Sequence, residues 1–257
     1  LPIIGANLWY KPVTSSNASL DQDVKLALKL LAEWNGEMNE HLPEPLIFYA
    51  WMRRLQKRLI QDELGVLASE FGNFDPIFLE RVFRNIDGAS VWCDIVQSIS
   101  KEDCDTIAEL ALYDAISELK TRYKVDITSM RWGDAHIAMH DHLTLGHIPF
   151  LNLLLNLRQS VSGGDYTLQR GLSSGNEYNP FENVHAAVYR GVYDFSDPDS
   201  SLYIISTGQS GHLFSRHYDD LGQLWRRGEY ISMSLDPELA KAASNGTTKI
   251  IPASNLQ

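Results

Sequence analysis

The chain has 257 residues, 44% hydrophobic, 10% aromatic and 21% charged, the balance of a folded protein with enough length to bury a sizeable core. That excludes a disordered tail, a collagen-like rod and a disulfide-dense miniprotein. With 22 Lys and Arg against 33 Asp and Glu the net charge is −11. Such a surface repels phosphate backbones and anionic lipid, so neither nucleic acid nor membrane is expected as a partner.

The first twenty residues, through Pro2, Pro12 and Thr14-Ser15-Ser16-Asn17, read as an irregular lead-in, and no charged segment followed by an apolar run marks a signal peptide. Ser19 or Asp21 is placed to cap a first helix running to about Trp34, with Val24, Leu28 and Leu31 on one face and Asn35-Gly36 as its stop. Pro43 and Pro45 suit the first turn of a second helix, whose apolar residues Ile47, Trp51, Leu55 and Leu59 recur every four positions. Arg53, Arg54, Lys57 and Arg58 flank that stripe. The acidic balance favours a solvated face with i,i+4 partners over a nucleic-acid site. A third helix is predicted over Phe74–Asn85, ended by Asp87-Gly88, and a fourth over Cys104–Tyr123. The fourth carries Ile107, Leu110, Ala111, Ala115 and Leu119 in a stripe interrupted by Asp114, and Lys120, Arg122 and Lys124 complement its C-terminal dipole.

After Lys124, Gly, Asn, Asp and Ser become frequent. The apolar stretch Ile148–Leu157 is too short to cross a bilayer and carries Asn152 and Asn156. Strands are predicted over Tyr166–Gln169, Val184–Phe195 and Ser201–Thr207, the last two joined as a hairpin by Asp197-Pro198-Asp199. Short helices over Tyr218–Arg227 and Asp236–Ala243 and a final strand over Lys249–Pro252 complete the order. Helices first and strands with short helices afterwards predict an α+β fold, mainly helical over 1–124 and β-rich over 125–257, in one structural unit.

Cys93 and Cys104 stand eleven positions apart and form neither a CxxC pair nor part of a zinc quartet. Two readings stay open on spacing: two buried small hydrophobes in a reducing compartment, or a bond closing a short loop in an oxidising one. His136, His140, His142 and His147 fall within twelve residues, and the first two would share a helical face. Ile137, Ala138 and Met139 leave no glutamate for a zincin motif. Asp134 and Asp141 could complete a metal site, but Trp132-Gly133 and Leu145-Gly146 suggest turns, which favours polar packing in a loop-rich segment.

Gly208-Gln209-Ser210-Gly211 follows a predicted strand as a nucleophile elbow would, yet His212 stands where the elbow needs glycine. A tight turn is preferred over a triad of Ser210 with His217 and Asp219 or Asp220. Gly163-Gly164-Asp165 precedes a strand rather than a helix N-terminus and so is not expected to hold phosphate. Asn17-Ala18-Ser19 and Asn245-Gly246-Thr247 match the glycosylation pattern. None of these patterns is a complete active site.

Three stretches taken together resemble the C-terminal half of the β subunit of the penicillin acylase (penicillin amidase) family of N-terminal nucleophile hydrolases. They are Leu30-Leu31-Ala32-Glu33-Trp34-Asn35-Gly36; Trp132-Gly133-Asp134-Ala135-His136 through His142 with Ser162-Gly163-Gly164-Asp165; and Gly208-Gln209-Ser210-Gly211-His212 with Ser215, His217-Tyr218-Asp219-Asp220, Leu224-Trp225 and Gly228-Glu229-Tyr230. Asn35 replaces the family's usual aspartate. The third stretch is the most specific.

The resemblance implies an αββα sandwich and hydrolysis of a linear amide, in a β-lactam side chain or an N-acyl homoserine lactone. The attacking group would be an autocatalytically exposed N-terminal serine, its own amine the base, with a backbone amide and an asparagine stabilising the oxyanion. No position here matches those motifs, and Leu1 has no hydroxyl, so no catalytic, cofactor or metal residue is carried over. The chain alone is expected to be inert. Calcium in the complete enzyme would be held outside this segment.

The implied partners are the α subunit, the N-terminal part of the β subunit and a small-molecule amide. The implied setting is the periplasm or secretion, which favours a Cys93–Cys104 disulfide. Gly208, Gln209, Ser210 and Gly211 would form a structural turn, the glycines supplying positive φ and Gln209 and Ser210 bonding neighbouring backbone. The competing reading is a stand-alone, non-catalytic interaction module.

Overall fold

The computed structural model describes residues 18–244 and 246–252. It is α+β, helices first, and divides into two compact units at Ala186/Ala187.

Unit 1 opens with α1 (Ala18–Glu33), α2 (Glu44–Leu64), α3 (Pro76–Phe83) and α4 (Cys104–Tyr123). α1 starts before both proposed caps. Asp21, inside the first turn, accepts a hydrogen bond from the Tyr113 hydroxyl on α4 at 3.0 Å. α3 begins at Pro76 rather than Phe74, because the Asp75 side chain caps it, accepting from the amides of Ile77 and Phe78. Phe74 is left to pack in the core. Asn85, Asp87 and Gly88 all adopt positive φ, which stops the helix. α4 matches its predicted span: Asp103 caps its start through the Thr106 amide, and Lys124 ends it in the left-handed region.

α2 and α4 pack face to face, burying Ile47, Leu55, Leu59, Ile107, Ala111 and Leu119. Each large aliphatic side chain removed from water there is worth about 1.5–3 kcal/mol. Trp51 fixes the register by donating from Nε1 to the Ala108 carbonyl at 2.8 Å.

The basic flank of α2 is not a solvated face with i,i+4 partners. Its partners lie on α4 and on the loop at Glu177: Arg54–Glu118 at 2.7 Å, Arg58–Asp114 at 2.6 Å and Lys57–Glu177 at 3.0 Å. That pairing accounts for the acidic break in the α4 stripe. Arg53 is only 6% exposed. It donates to the carbonyls of Gly72, Gly175 and Asn176.

Beyond α4 come α5 (Trp132–Ala135), β1 (Ile137–His140), α6 (Asn152–Leu155), β2 (Leu157–Ser160), β3 (Gly171–Ser173) and β4 (Asn183–Ala186). The strands form one sheet in the order β2-β1-β4-β3, with β1 antiparallel to β2, parallel to β4, and β3 antiparallel to β4. His140 therefore ends a strand and does not share a helical face with His136. Tyr166–Gln169, predicted as a strand, is a run of turns and bends. The Gly164 carbonyl accepts from the amide of Thr167 at 3.4 Å and of Gly171 at 3.1 Å, closing the segment on itself.

Unit 2 contains β5 (Tyr189–Val192), β6 (Leu202–Ile205), α7 (Gly222–Arg227), β7 (Ile231–Ser232) and α8 (Pro237–Ala243). Its sheet, β5-β6-β7, is antiparallel throughout. The predicted hairpin is β5–β6, paired from Tyr189↔Ile205 to Val192↔Leu202, with a 3₁₀ turn at Pro198–Ser200. The predicted strand Val184–Phe195 is two strands of different sheets, and no strand occurs over Lys249–Pro252.

Long helices end at Tyr123, and the two compact units divide at Ala186/Ala187. The first sheet and its loops are bonded to the helices: Gly163 N–H to the Met38 carbonyl at 2.7 Å, and Asn73 Nδ2 to the Ser173 carbonyl at 2.7 Å. Local composition registers helix against strand but not these long-range bonds.

Candidate functional site

The Trp-Gly-x-x-His stretch lies at the centre of unit 1. Trp132 is fully buried, its backbone amide donates to the Leu42 carbonyl and its Nε1 to the Gly163 carbonyl at 2.7 Å. Gly133 is required by close approach, since a Cβ there would come within 2.9 Å of the Glu40 Cβ. His136 stacks on Trp132, ring centroids 4.4 Å apart. Its Nδ1 lies 2.7 Å from the Phe181 carbonyl oxygen. A carbonyl only accepts, so Nδ1 carries the proton and Nε2 holds a lone pair. Nε2 faces Gly171, where a Cβ would sit 2.5 Å away. Burial lowers the His136 pKa to about 4, against a smaller upward pull from the Phe181 carbonyl. The imidazole is neutral at pH 7.

Beside it runs a buried polar chain that sequence reasoning missed. The Asp165 amide donates to the Tyr49 hydroxyl at 2.8 Å, and the Asp165 carboxylate accepts from the Ser173 amide at 2.6 Å. Burial raises the Asp165 pKa, opposed by its bonds to Ser173. Burial, then the charge of Asp165, pushes the Tyr49 phenol up. Gly163-Gly164-Asp165 is thus a packed turn: Gly163 has φ +92°, and a Cβ on Gly164 would sit 2.5 Å from the Tyr49 hydroxyl. A phosphate has no room there. The spacing of Tyr49, Arg53 and Gln56 on one face of α2 was the available signal for a polar seam.

The remaining histidines do separate jobs. Burial and the nearby Arg158 lower the His140 pKa, with Asp141 opposing. His142 Nδ1 accepts from the amides of Thr144 and Leu145. Among the described residues no group of three or more His, Cys, Asp or Glu side chains could hold a metal ion. Cys93 and Cys104 are bonded, with Cα atoms 5.0 Å apart, tying the 3₁₀ segment Ile86–Cys93 to the start of α4. Asn17 and Asn245, the acceptor positions of the two glycosylation patterns, lie outside the described residues.

In unit 2 the Gly208–Gly211 segment has a single bend, at Gln209, and neither glycine has the positive φ expected. Gly208 is required because a Cβ would collide with the His217 carbonyl oxygen and lie 2.7 Å from Asp220 Oδ1; Gly211 has nothing within 4 Å. Ser210 N–H donates to the His217 carbonyl at 2.9 Å, and Ser210 Oγ accepts from the His212 amide at 3.1 Å.

His217 Nδ1 and Asp220 Oδ2 are 2.7 Å apart, the half of a triad that orients a base. The other half is occupied differently. His217 Nε2 accepts from Arg216 Nε at 3.0 Å, so a guanidinium stands where a triad would have the serine hydroxyl. Gly208 and Ser210 are thus held against the backbone of His217.

Residues 4–242 match the penicillin amidase family, so the chain belongs to it. The chain is 25% identical over 226 residues to acyl-homoserine lactone acylase QuiP of Pseudomonas syringae pv. tomato, covering 82% of this chain and 26% of that protein. It is 24% identical over 230 residues to the penicillin acylase 2 proenzyme of Pseudomonas sp. (strain SE83), covering 87% and 28%. Among solved structures it aligns with the thermostable penicillin G acylase from Alcaligenes faecalis at 16% identity and a TM-score of 0.46, over 98% of this chain and 45% of that one. The chain spans about a quarter of the length of the curated relatives it matches. No helix among the described residues is long and apolar enough to cross a membrane.

Proposed function

We propose that this chain is the C-terminal portion of an acylase that hydrolyses a linear amide, of the β-lactam side-chain or N-acyl homoserine lactone type, with its N-terminal serine nucleophile on polypeptide outside these residues. One observation carries the reading: nearly the whole chain matches the penicillin amidase family while spanning only about a quarter of its acylase relatives.

The described residues agree with a supporting role. The one His–Asp pair beside Ser210 has its second nitrogen bonded to Arg216. The buried histidine is neutral, its Nδ1 held by the Phe181 carbonyl. In this reading the chain alone is inert, and its strands complete the αββα layers that carry the nucleophile. Its partners are the α subunit, the rest of the β subunit and the amide substrate. Calcium, where the complete enzyme takes it, is bound elsewhere, and the enzyme matures from a zymogen in the periplasm or after secretion.

N-terminal sequencing of the polypeptides in the active, purified parent protein tests this. A serine at the N-terminus of the polypeptide that contains residues 1–257, upstream of Leu1, supports the reading. An active polypeptide without such a residue overturns it. A stand-alone module is favoured only by the closed helical core of unit 1, and an amide-hydrolysing parent protein excludes it.

A further inference from the structure

β1 and β2 pair as neighbours, yet residues 141–156 separate them, far more than a hairpin needs. From His142 to Leu157 there is no Asp, Glu, Lys or Arg, in a chain where one residue in five is charged. The segment holds its own shape. Asn156 Oδ1 accepts from the His142 amide at 3.0 Å, and Asn156 Nδ2 donates to the Gly146 carbonyl at 3.1 Å. Gly146 N–H closes back on the His142 carbonyl at 2.8 Å.

What this clasp displays is apolar. Leu143 is 90% exposed, Phe150 82% and Leu153 79%, with Leu154 also exposed. Phe150 has φ +70°, a left-handed conformation that an aromatic residue adopts only against a steric cost. A segment built to that degree, holding large apolar side chains in water, has the character of an interface.

We propose that this protrusion, with Leu143, Phe150, Leu153 and Leu154 at its surface, is where the remaining polypeptide of the same acylase seats on unit 1. The proposal rests on the reading of this chain as one portion of a longer enzyme. The occupant follows from two observations. About three quarters of the length of the curated relatives lies outside the region this chain spans, and that length must be packed against something. The protrusion carries no Lys or Arg to engage lipid headgroups or phosphates, so its complement is an apolar protein surface. β2, which the protrusion enters, is also the terminal strand of its sheet, with one edge facing no other strand of that sheet.

The test uses the parent protein with a photo-crosslinking benzoylphenylalanine at position 150 and, separately, at 153, both exposed and so tolerant of replacement. The expected products are crosslinks within one enzyme molecule, to peptides outside residues 1–257, at both positions. Crosslinks only to a second copy of the same protrusion, only to lipid, or none at all, in a preparation that hydrolyses amide, overturn the proposal and leave the acylase reading intact. The expected crosslinks in a preparation that hydrolyses no amide keep the surface and remove the acylase reading. A second measurement is the yield of assembled enzyme from the double variant F150E/L153E. A loss of tenfold or more is expected; an unchanged yield overturns the proposal.

Discussion

The His136 Nδ1 proton points at the Phe181 carbonyl oxygen, 2.7 Å away, in a pocket closed to water. Burial holds the folded-state pKa at about 4, below the ordinary 6.5, so between those values the unfolded chain binds more protons than the folded one. Stability from this site is full above pH 6.5 and is lost as pH falls towards 4. In urea titrations the stability of wild type should fall across that window, and that of His136→Gln should fall less steeply. Equal slopes would contradict the assignment.

Arg53 and Arg58 sit on the same helix with very different surroundings. Arg53 is buried, donates to three backbone carbonyls and stands 3.8 Å from Glu118; Arg58 pairs with Asp114 in partial contact with solvent. Arg53→Ala leaves those carbonyls short of a donor, while Glu118 keeps Arg54 at 2.7 Å and Arg122 at 3.1 Å, and should cost about 3 kcal/mol. Arg58→Ala should cost about 1 kcal/mol or less. Chemical denaturation of the two variants checks this, and comparable losses would refute it.

Gly208 and Gly211 are expected to respond in opposite ways to a methyl group. Alanine at 208 collides with the backbone of His217, which cannot swing aside, and should destabilise by about 1–3 kcal/mol. Alanine at 211 meets nothing within 4 Å and has no positive φ to relieve, so its effect should stay within about 0.5 kcal/mol. Thermal melts distinguish the two. In the parent protein Ser210→Ala should change stability more than any amide turnover, and a loss of turnover with the fold intact would assign Ser210 a chemical role.

The Cys93–Cys104 bond closes a loop of eleven residues' separation, which on the chain-entropy model is worth about 3 kcal/mol. Thiol titration of the denatured protein should find no free thiol before reduction and two afterwards, and the C93S/C104S variant should unfold at lower urea. Free thiols before reduction would contradict the bond.

The helices were legible because their signals are local. Lys120, Arg122 and Lys124 mark the end of α4, which matches its predicted span, whereas the Asp75 cap and Pro76 start of α3 went unread. The strands are three or four residues long and take their partners from afar, as Ala138 does with Asn183, so alternation over so few positions carried little. Val184–Phe195 read as one strand because nothing in its sequence marks the passage between units. At the site, the Trp132–His136 stretch was visible as a motif. Its chemistry, set by Phe181 and Gly171 far along the chain, was not. Gly208 was singled out for conformational freedom, whereas its neighbour His217 makes the demand.

The most direct test compares the intact parent protein with the purified 257-residue chain for release of free acid from penicillin G and from an N-acyl homoserine lactone. Hydrolysis of one of these by the parent and none by the chain is the predicted result. Turnover by the chain alone, abolished by Ser210→Ala or His217→Ala, would contradict the account.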